Sequence, residues 1–225
     1  MHCRRNVAAA ERVAADVRSI GREAWVIAND LADASQHESF VERAWNWRGG
    51  VDIWINNAGA DVLTGDARGW SFEEKLAALW RVDLLATMRL SRLVGERMRQ
   101  RGGAAGAAVI VNMGWDQAEF GMGGDSGEMF AAVKGAVMAF SKSLAQSLAP
   151  AVRVNCLAPG WIRTSWGEQA SEYWQERALR ESLLGRWGTP EDVARVARFV
   201  VSPAASFITG QIIAVNGGFR PRGAV

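Results

Sequence analysis

Short apolar runs and stretches of helical period alternate along the whole chain. Val7 to Ser19 sets apolar side chains at helical spacing among Ala, Glu and Arg, with Gly21 as a stop, and predicts a helix. Trp25 to Ala28 predicts a short buried strand ending at Asn29-Asp30. Ser35 and Glu38 stand at the spacing of a capping box and open a predicted helix to about Trp47, broken by Gly49-Gly50. Val51 to Ile55 predicts a strand leading into Asn56-Asn57-Ala58-Gly59. Ser71 with Glu74 forms a second such box, before a helical pattern that runs to about Arg101 and stops at Gly102-Gly103. Ala108 to Met113 reads as a strand, Gly114 to Gly127 as a Gly-rich loop, and Glu128 to Leu148 as a long helix. Val152 to Leu157 is a further strand, stopped by Pro159-Gly160 and followed by a Trp-rich segment. Thr189-Pro190-Glu191-Asp192 starts a helix, with Thr as cap and acids on the positive helix end. Ile212 to Val215 is the last strand.

Continuously apolar strands separated by helices predict a parallel sheet covered on both faces. No internal repeat or linker divides the chain, so residues 1–225 read as one doubly wound α/β domain. Ligands of such sheets bind beyond the carboxyl ends of the strands. That directs attention to residues 3–6, Asp30, residues 57–59, 114–116 and 159–164.

Composition narrows the field. With 49% hydrophobic and 22% charged residues the chain can bury a core. Its net charge is +2, and acids and bases are interspersed, which argues against a nucleic-acid partner. No apolar run reaches the roughly 18 residues of a membrane span, and Met1 to Asn6 lacks the apolar stretch of a signal peptide. Cys3 and Cys156 make no disulfide framework and suit a reducing, cytoplasmic setting. With His2 and His37 they form no metal-ligand cluster, so no metal is expected. There is one Tyr beside 11 Trp, and Lys75, Lys134 and Lys142 are the only lysines among 26 basic residues.

Four segments at the strand ends carry a resemblance. They are Asn56-Asn57-Ala58-Gly59, Asn155 to Thr164, Arg186 to Ala194, and Thr209 to Gly218. From Met1 to about Phe219 the chain resembles the short-chain dehydrogenase/reductase family, within it the 3-oxoacyl-acyl-carrier-protein reductase type. The resemblance implies a Rossmann-like fold and an NAD(P)(H)-dependent oxidoreductase acting on a carbonyl or hydroxyl group. It implies a small-molecule substrate, apolar or acyl, and a homodimer or homotetramer. The small-residue face of the long helix, Ala131, Ala132, Gly135, Ala136 and Ala139, fits that family's dimer interface and fits packing within the domain equally. Transferred position by position, Asn57, Ala58 and Gly59 face a cofactor ribose, Asp30 faces the adenine, and Pro159, Gly160, Ile162 and Thr164 face the carboxamide end. Arg4 and Arg5 follow what resembles the second strand, where Arg pairs with a 2′-phosphate, favouring NADP(H) over NAD(H). Each also has a plain reading: turn, loop cap, strand end, solvated arginines.

The pattern breaks in two places. The family's Gly-rich turn, which cradles a pyrophosphate at a helix start, has no counterpart here. Met1 to Arg4 looks like the tail of the second strand, so the first βα unit is missing, on the order of 30 residues. By resemblance that first strand lies mid-sheet. Its loss leaves buried backbone groups unpaired, and we expect the start to be internal to a longer reading frame. If that segment is absent, no cofactor is expected.

The second break is in the chemistry. The family's Y-x-x-x-K becomes Phe130-Ala131-Ala132-Val133-Lys134, with Phe130 at the Tyr position, Trp115 at the Ser position and Asp83 at the helix Asn. By resemblance Lys134 lowers the Tyr pKa and binds the nicotinamide ribose, and the Tyr hydroxyl passes a proton. Phe130 has none to pass. The loop offers Asp116, Glu119, Asp125, Ser126 and Glu128; Asp116 is nearest, as a general acid or as a solvated cap. Trp161, Trp166, Trp174 and Trp187 fall in the region that covers the substrate in the family, as lining or as ordinary packing. Two functions remain: an oxidoreductase with altered chemistry, or a non-catalytic ligand-binding or oligomer-partner member of the same fold.

Overall fold

The computed structural model describes residues 1–219. Its centre is a pair of strands whose apolar runs are buried on both faces: β4 (Ala108–Met113) and β5 (Val152–Pro159). With β3 (Ile53–Asn56) and β6 (Ile212–Val215) they make a parallel sheet in the order β3-β4-β5-β6. Val109 lies opposite Ile53 on one side and Arg153 on the other, and Cys156 opposite Ile212. A second, two-stranded parallel sheet pairs β1 (His2–Cys3) with β2 (Ile27–Ala28).

Helices cover both faces. On one, α4 (Thr87–Arg101) and α6 (Asp125–Leu148) bring Leu90, Val94, Met98, Leu144 and Leu148 against Ile110, Val152 and Val154. On the other, Val200 of α9 (Pro190–Val201) meets Val109, Val111 and Leu157. The expected doubly wound, single-domain α/β fold is therefore the observed one. Arg153, inside an otherwise apolar strand, is satisfied by the carbonyls of Gly106, Val200, Ser202 and Ile208.

The helix α1 (Val7–Ser19) and strand β6 have the expected bounds. The Ser71–Glu74 box forms, opening α3 (Phe72–Leu79), and Thr189 forms one with Asp192 at the start of α9. The Ser35–Glu38 box does not. Asp33 caps a 3-10 turn over Ala34–Gln36 instead, accepting from Ser35 N, and α2 (His37–Asn46) follows. Asp33 Oδ1 takes the Ser35 N–H that Glu38 would take in the box, and the Ser35 hydroxyl donates to the same oxygen rather than capping Glu38 N. Between α3 and α4 the helix widens into π-helical turns over Trp80–Ala86, which carry Asp83. The predicted Gly-rich loop contains a short α5 (Gln117–Phe120), and α6 starts at Asp125, three residues early.

One strand departs from the expectation that both faces are covered. Ile53 and Ile55 of β3 are 45% and 42% exposed. They lie along the outer edge, which pairs with no strand, while β1 pairs with β2 alone. Among the described residues no helix is long and apolar enough to cross a membrane, and no group of three candidate metal ligands converges.

Candidate active site

The site lies at the carboxyl ends of β3, β4 and β5. Helix α6 passes the end of β4, and one turn of it sets Phe130 and Lys134 on the same face. The Lys134 ammonium lies 2.9 Å from Asp83 Oδ1 and donates to the Met113 carbonyl at 3.3 Å. Asp83 is buried, and its Oδ2 accepts from Ala60 N at 2.8 Å. The carboxylate thus ties the turn after β3 to α6. Gly59 permits this approach, because a Cβ there would lie 2.9 Å from Asp83 Oδ1.

Trp115 and Phe130 meet edge to face, with ring centroids 6.2 Å apart. The structure therefore brings together Lys134, Asp83, Phe130, Trp115 and the Asn57–Gly59 turn. Asn57 is exposed and Ala58 half-buried. Asn56 is held from below: it donates to Asn112 Oδ1 and Ser91 Oγ, and Asn112 donates to Ser141 Oγ. Sequence reasoning missed this buried network. Its signal was present in polar residues, Asn56 and Asn112, inside apolar strands.

At the end of β5, Gly160 is hemmed in, because a Cβ would lie 2.5 Å from Asn216 Cβ and 2.9 Å from Asp116 Oδ2. Its N–H donates to Val215, and Pro159 O accepts from Asp116 N. Ile162 bridges to Gly188, and Thr164 is exposed before a short helix α7 (Ser165–Glu168). Arg4 and Arg5 are exposed just after β1. Asp30 follows β2, and its carboxylate accepts from Ala32 N at 3.0 Å, which is the loop-cap reading. These three lie on the two-stranded sheet, whereas the others gather on the four-stranded one.

Asp116 is not the solvated cap that the loop suggests. It does cap α5, through Gln117 N at 2.8 Å, but it is 4% exposed, and Asn216 Nδ2 donates to its other oxygen at 3.0 Å. Burial pushes its pKa up to about 6 despite those hydrogen bonds, and the nearby Glu181 charge acts in the same direction. The tryptophans pack on one another: Trp161 lies 5.7 to 6.4 Å from Trp166, Trp174 and Trp187. Helix α8 (Glu172–Glu181) adds Arg177, whose guanidinium carbon sits 5.5 and 5.1 Å from Trp161 and Trp174. Arg177 Nε donates to Glu181 Oε1 at 2.8 Å, and Trp161 Nε1 to Oε2 at 3.1 Å. This buried pair was not singled out from the sequence, although its i, i+4 spacing was legible. Tyr173 lies on α8 beside Trp174, in the Trp-rich segment.

Residues 1–220 match the family model described as Enoyl-(Acyl carrier protein) reductase. The chain belongs to the short-chain dehydrogenase/reductase family. A 3-oxoacyl-acyl-carrier-protein reductase of Thermotoga maritima is 35% identical over 193 residues, 84% of this chain and 74% of that protein. Dehydrogenase/reductase SDR family member 4 of Sus scrofa is 34% identical over 198 residues, 85% and 67% of the two chains. Among solved structures, a gluconate 5-dehydrogenase from Burkholderia cenocepacia, in complex with NADP and tartrate, superposes with a TM-score of 0.82 at 26% identity. The match covers 96% of this chain and 83% of that one. A 7α-hydroxysteroid dehydrogenase complexed with NADH and 7-oxo glycochenodeoxycholic acid gives a TM-score of 0.83 at 27% identity, covering 95% and 81%. The short-chain dehydrogenase/reductase fold, and a likeness to the 3-oxoacyl reductase type, are thus established for this oxidoreductase-family chain.

Proposed function

We propose that this short-chain dehydrogenase/reductase is a nicotinamide-dinucleotide-dependent oxidoreductase acting on a carbonyl or hydroxyl substrate, with its usual proton donors replaced. The observation that carries the reading is the Lys134–Asp83 pair, held against the Asn57–Gly59 turn. Relatives support it, since the gluconate 5-dehydrogenase is described with NADP and the hydroxysteroid dehydrogenase with NADH. Arg4 and Arg5, exposed after β1, favour NADP(H) in this chain.

The residues fit one end of such a cofactor better than the other. Lys134 uses donors on Asp83 and Met113 and has three N–H groups, so one is left for a ribose hydroxyl. Asn57 offers an exposed amide, and Gly59, Pro159 and Gly160 offer backbone groups at the strand ends. At the 2′-phosphate end, β1 passes into α1 through Arg4-Arg5-Asn6, with Asn6 as the helix cap and both arginines exposed. When bound, a nicotinamide dinucleotide exchanges hydride with a carbonyl carbon. The chain's own part is to orient through Lys134 and to exclude water with Trp115 and Phe130. Neither ring replaces a hydroxyl at the substrate oxygen, and a positioned acid or base is worth roughly 10²–10⁴-fold.

The test is NADPH oxidation with a 3-oxoacyl thioester. We expect slow turnover by the wild type, and Phe130→Tyr with Trp115→Ser to raise kcat by about 10²-fold or more. Fast wild-type turnover that survives Lys134→Met would refute this placement of the site. The edge-to-face closure of Trp115 on Phe130 favours a second reading, a ligand-binding member without turnover. Cofactor binding with no rate in either protein would select it.

A further inference from the structure

Asp83, on the π-helical turns, makes two contacts. Its Oδ2 accepts from Ala60 N at 2.8 Å, and its Oδ1 lies 2.9 Å from the Lys134 ammonium. The first contact needs only an oxygen, which an asparagine amide would supply equally well. The second separates the two residues, because a carboxylate brings a negative charge and an amide brings none. The Lys134 and Asp83 side chains are 14% and 3% exposed, so water and salt screen the pair little. Their chain neighbours Leu84 and Val133 belong to one apolar cluster with Cys156, and Phe130 packs against it. Burial pushes the Cys156 thiol up to about 11 despite Lys134, so it adds no charge at neutral pH. Lys134 and Asp83 together sum to zero.

An ammonium alone, one helical turn from position 130, would favour any anion formed there. At about 6 Å and an effective dielectric constant near 20, it would move a neighbouring pKa by about two pH units. An opposite charge about 3 Å further away takes back more than half of that. We propose that Asp83 is a charge-cancelling positioning residue: it holds Lys134 toward a neutral hydroxyl and removes the positive field that would stabilise an oxyanion, so that the site accepts an uncharged group at Lys134 in preference to an anionic one. The inference rests on the proposed function in taking Lys134 to face the ligand. It is read from a titration without cofactor or substrate, so its failure is distinguishable from a failure of turnover.

Phe130→Tyr sets a phenol one turn from Lys134 as a reporter. The chain has a single tyrosine, Tyr173, exposed on α8, so the new phenol is resolved by tyrosinate difference absorbance against the wild type. In Phe130→Tyr we expect it to titrate at or above the ordinary value of about 10. Adding Asp83→Asn should lower that by about one pH unit or more, and adding Lys134→Met to this double variant should raise it again. The triple variant, which replaces both charges at once, should stay within about one pH unit of Phe130→Tyr alone, a comparison that holds even if Asp83→Asn with Lys134 in place does not fold. A phenol well below about 9 with Asp83 present, or no change on Asp83→Asn, would overturn the proposal. So would a rise of about two pH units from Phe130→Tyr to the triple variant, which would show that the Lys134 field was never cancelled.

Discussion

Replacing Asp116 by Asn keeps the size of a buried side chain while removing its titration. In the folded protein the Asp116 pKa is pushed up to about 6, against 3.8 for an ordinary aspartate, and burial is the leading cause. The unfolded chain therefore releases this proton near pH 4, while the folded chain holds it until about pH 6. Across that window the folded state binds more protons, so this group makes stability fall as pH rises, and the loss is complete above about pH 6. A shift of about two pKa units corresponds to roughly 3 kcal/mol. Other carboxylates run the opposite way. Asp192, lowered to about 2 chiefly by the Arg186 hydrogen bond, and Asp33, lowered chiefly by Ser35, stabilise above their ordinary pKa and lose that contribution on acidification. The wild-type curve alone thus mixes signs, and the difference between wild type and variant isolates Asp116. Urea unfolding followed by Trp fluorescence at pH 4 and pH 7.5 gives that difference. We expect Asp116→Asn to gain roughly 2.5 kcal/mol relative to wild type between the two, because part of the total is already lost at pH 4. A difference that does not change with pH would show that Asp116 titrates as a solvated group. A relative loss at high pH would show that Asn216 and Gln117 N outweigh burial and hold the carboxylate ionised.

Two further changes probe packing and the ion pair. Gly95→Ala gains helix propensity, but its Cβ would lie 2.5 Å from Leu148 Cδ1 and 3.3 Å from Ile110 Cδ1, so we expect a net loss of about 1–3 kcal/mol in urea unfolding. Added stability would mean that Leu148 yields. Lys134→Met leaves the buried Asp83 carboxylate with Ala60 N and no cation, for an expected cost of about 3–5 kcal/mol. Adding Asp83→Asn should return part of it, and additivity in that double-mutant cycle would deny the coupling.

Much of the fold was legible because its signals are local. Val7–Ser19 carries its own period, Ser71 and Thr189 their own caps, and Ile212–Val215 its own apolar run. The Ser35 box failed because Asp33 engages both the Ser35 N–H and the Ser35 hydroxyl, and spacing alone does not rank that carboxylate against Glu38. At the site, motif order placed Lys134, Asp83, Phe130 and Trp115 together, and the structure does the same. It did not reveal the burial of Asp116, which depends on Asn216 a hundred residues away. Nor did it reveal that the Gln117 side chain is buried with no hydrogen-bond partner for either amide atom, since an absent hydrogen bond has no sequence pattern. The exposure of Ile53 and Ile55 was equally invisible, because their run reads as fully buried whichever strands flank it.

The division of the sheet also shapes how the molecule opens. Between β3 and β1 there is no backbone ladder, and the junction is made by side chains: Ile27, Leu31 and Phe40 pack in the same cluster as Leu90, Val94 and Ile110. A two-stranded ribbon has little stability of its own. Packing without a ladder yields at lower free energy than β4–β5, each of which is bonded on both sides. In hydrogen exchange the β1–β2 ribbon is then an early-opening unit, and the amides on the outer edge of β3 exchange well before those of β4 and β5. Arg4, Arg5 and Asp30 ride on that early unit. Any grip they exert on a ligand is therefore tied to a local unfolding equilibrium, and a ligand held by them would protect amides far from its own contacts.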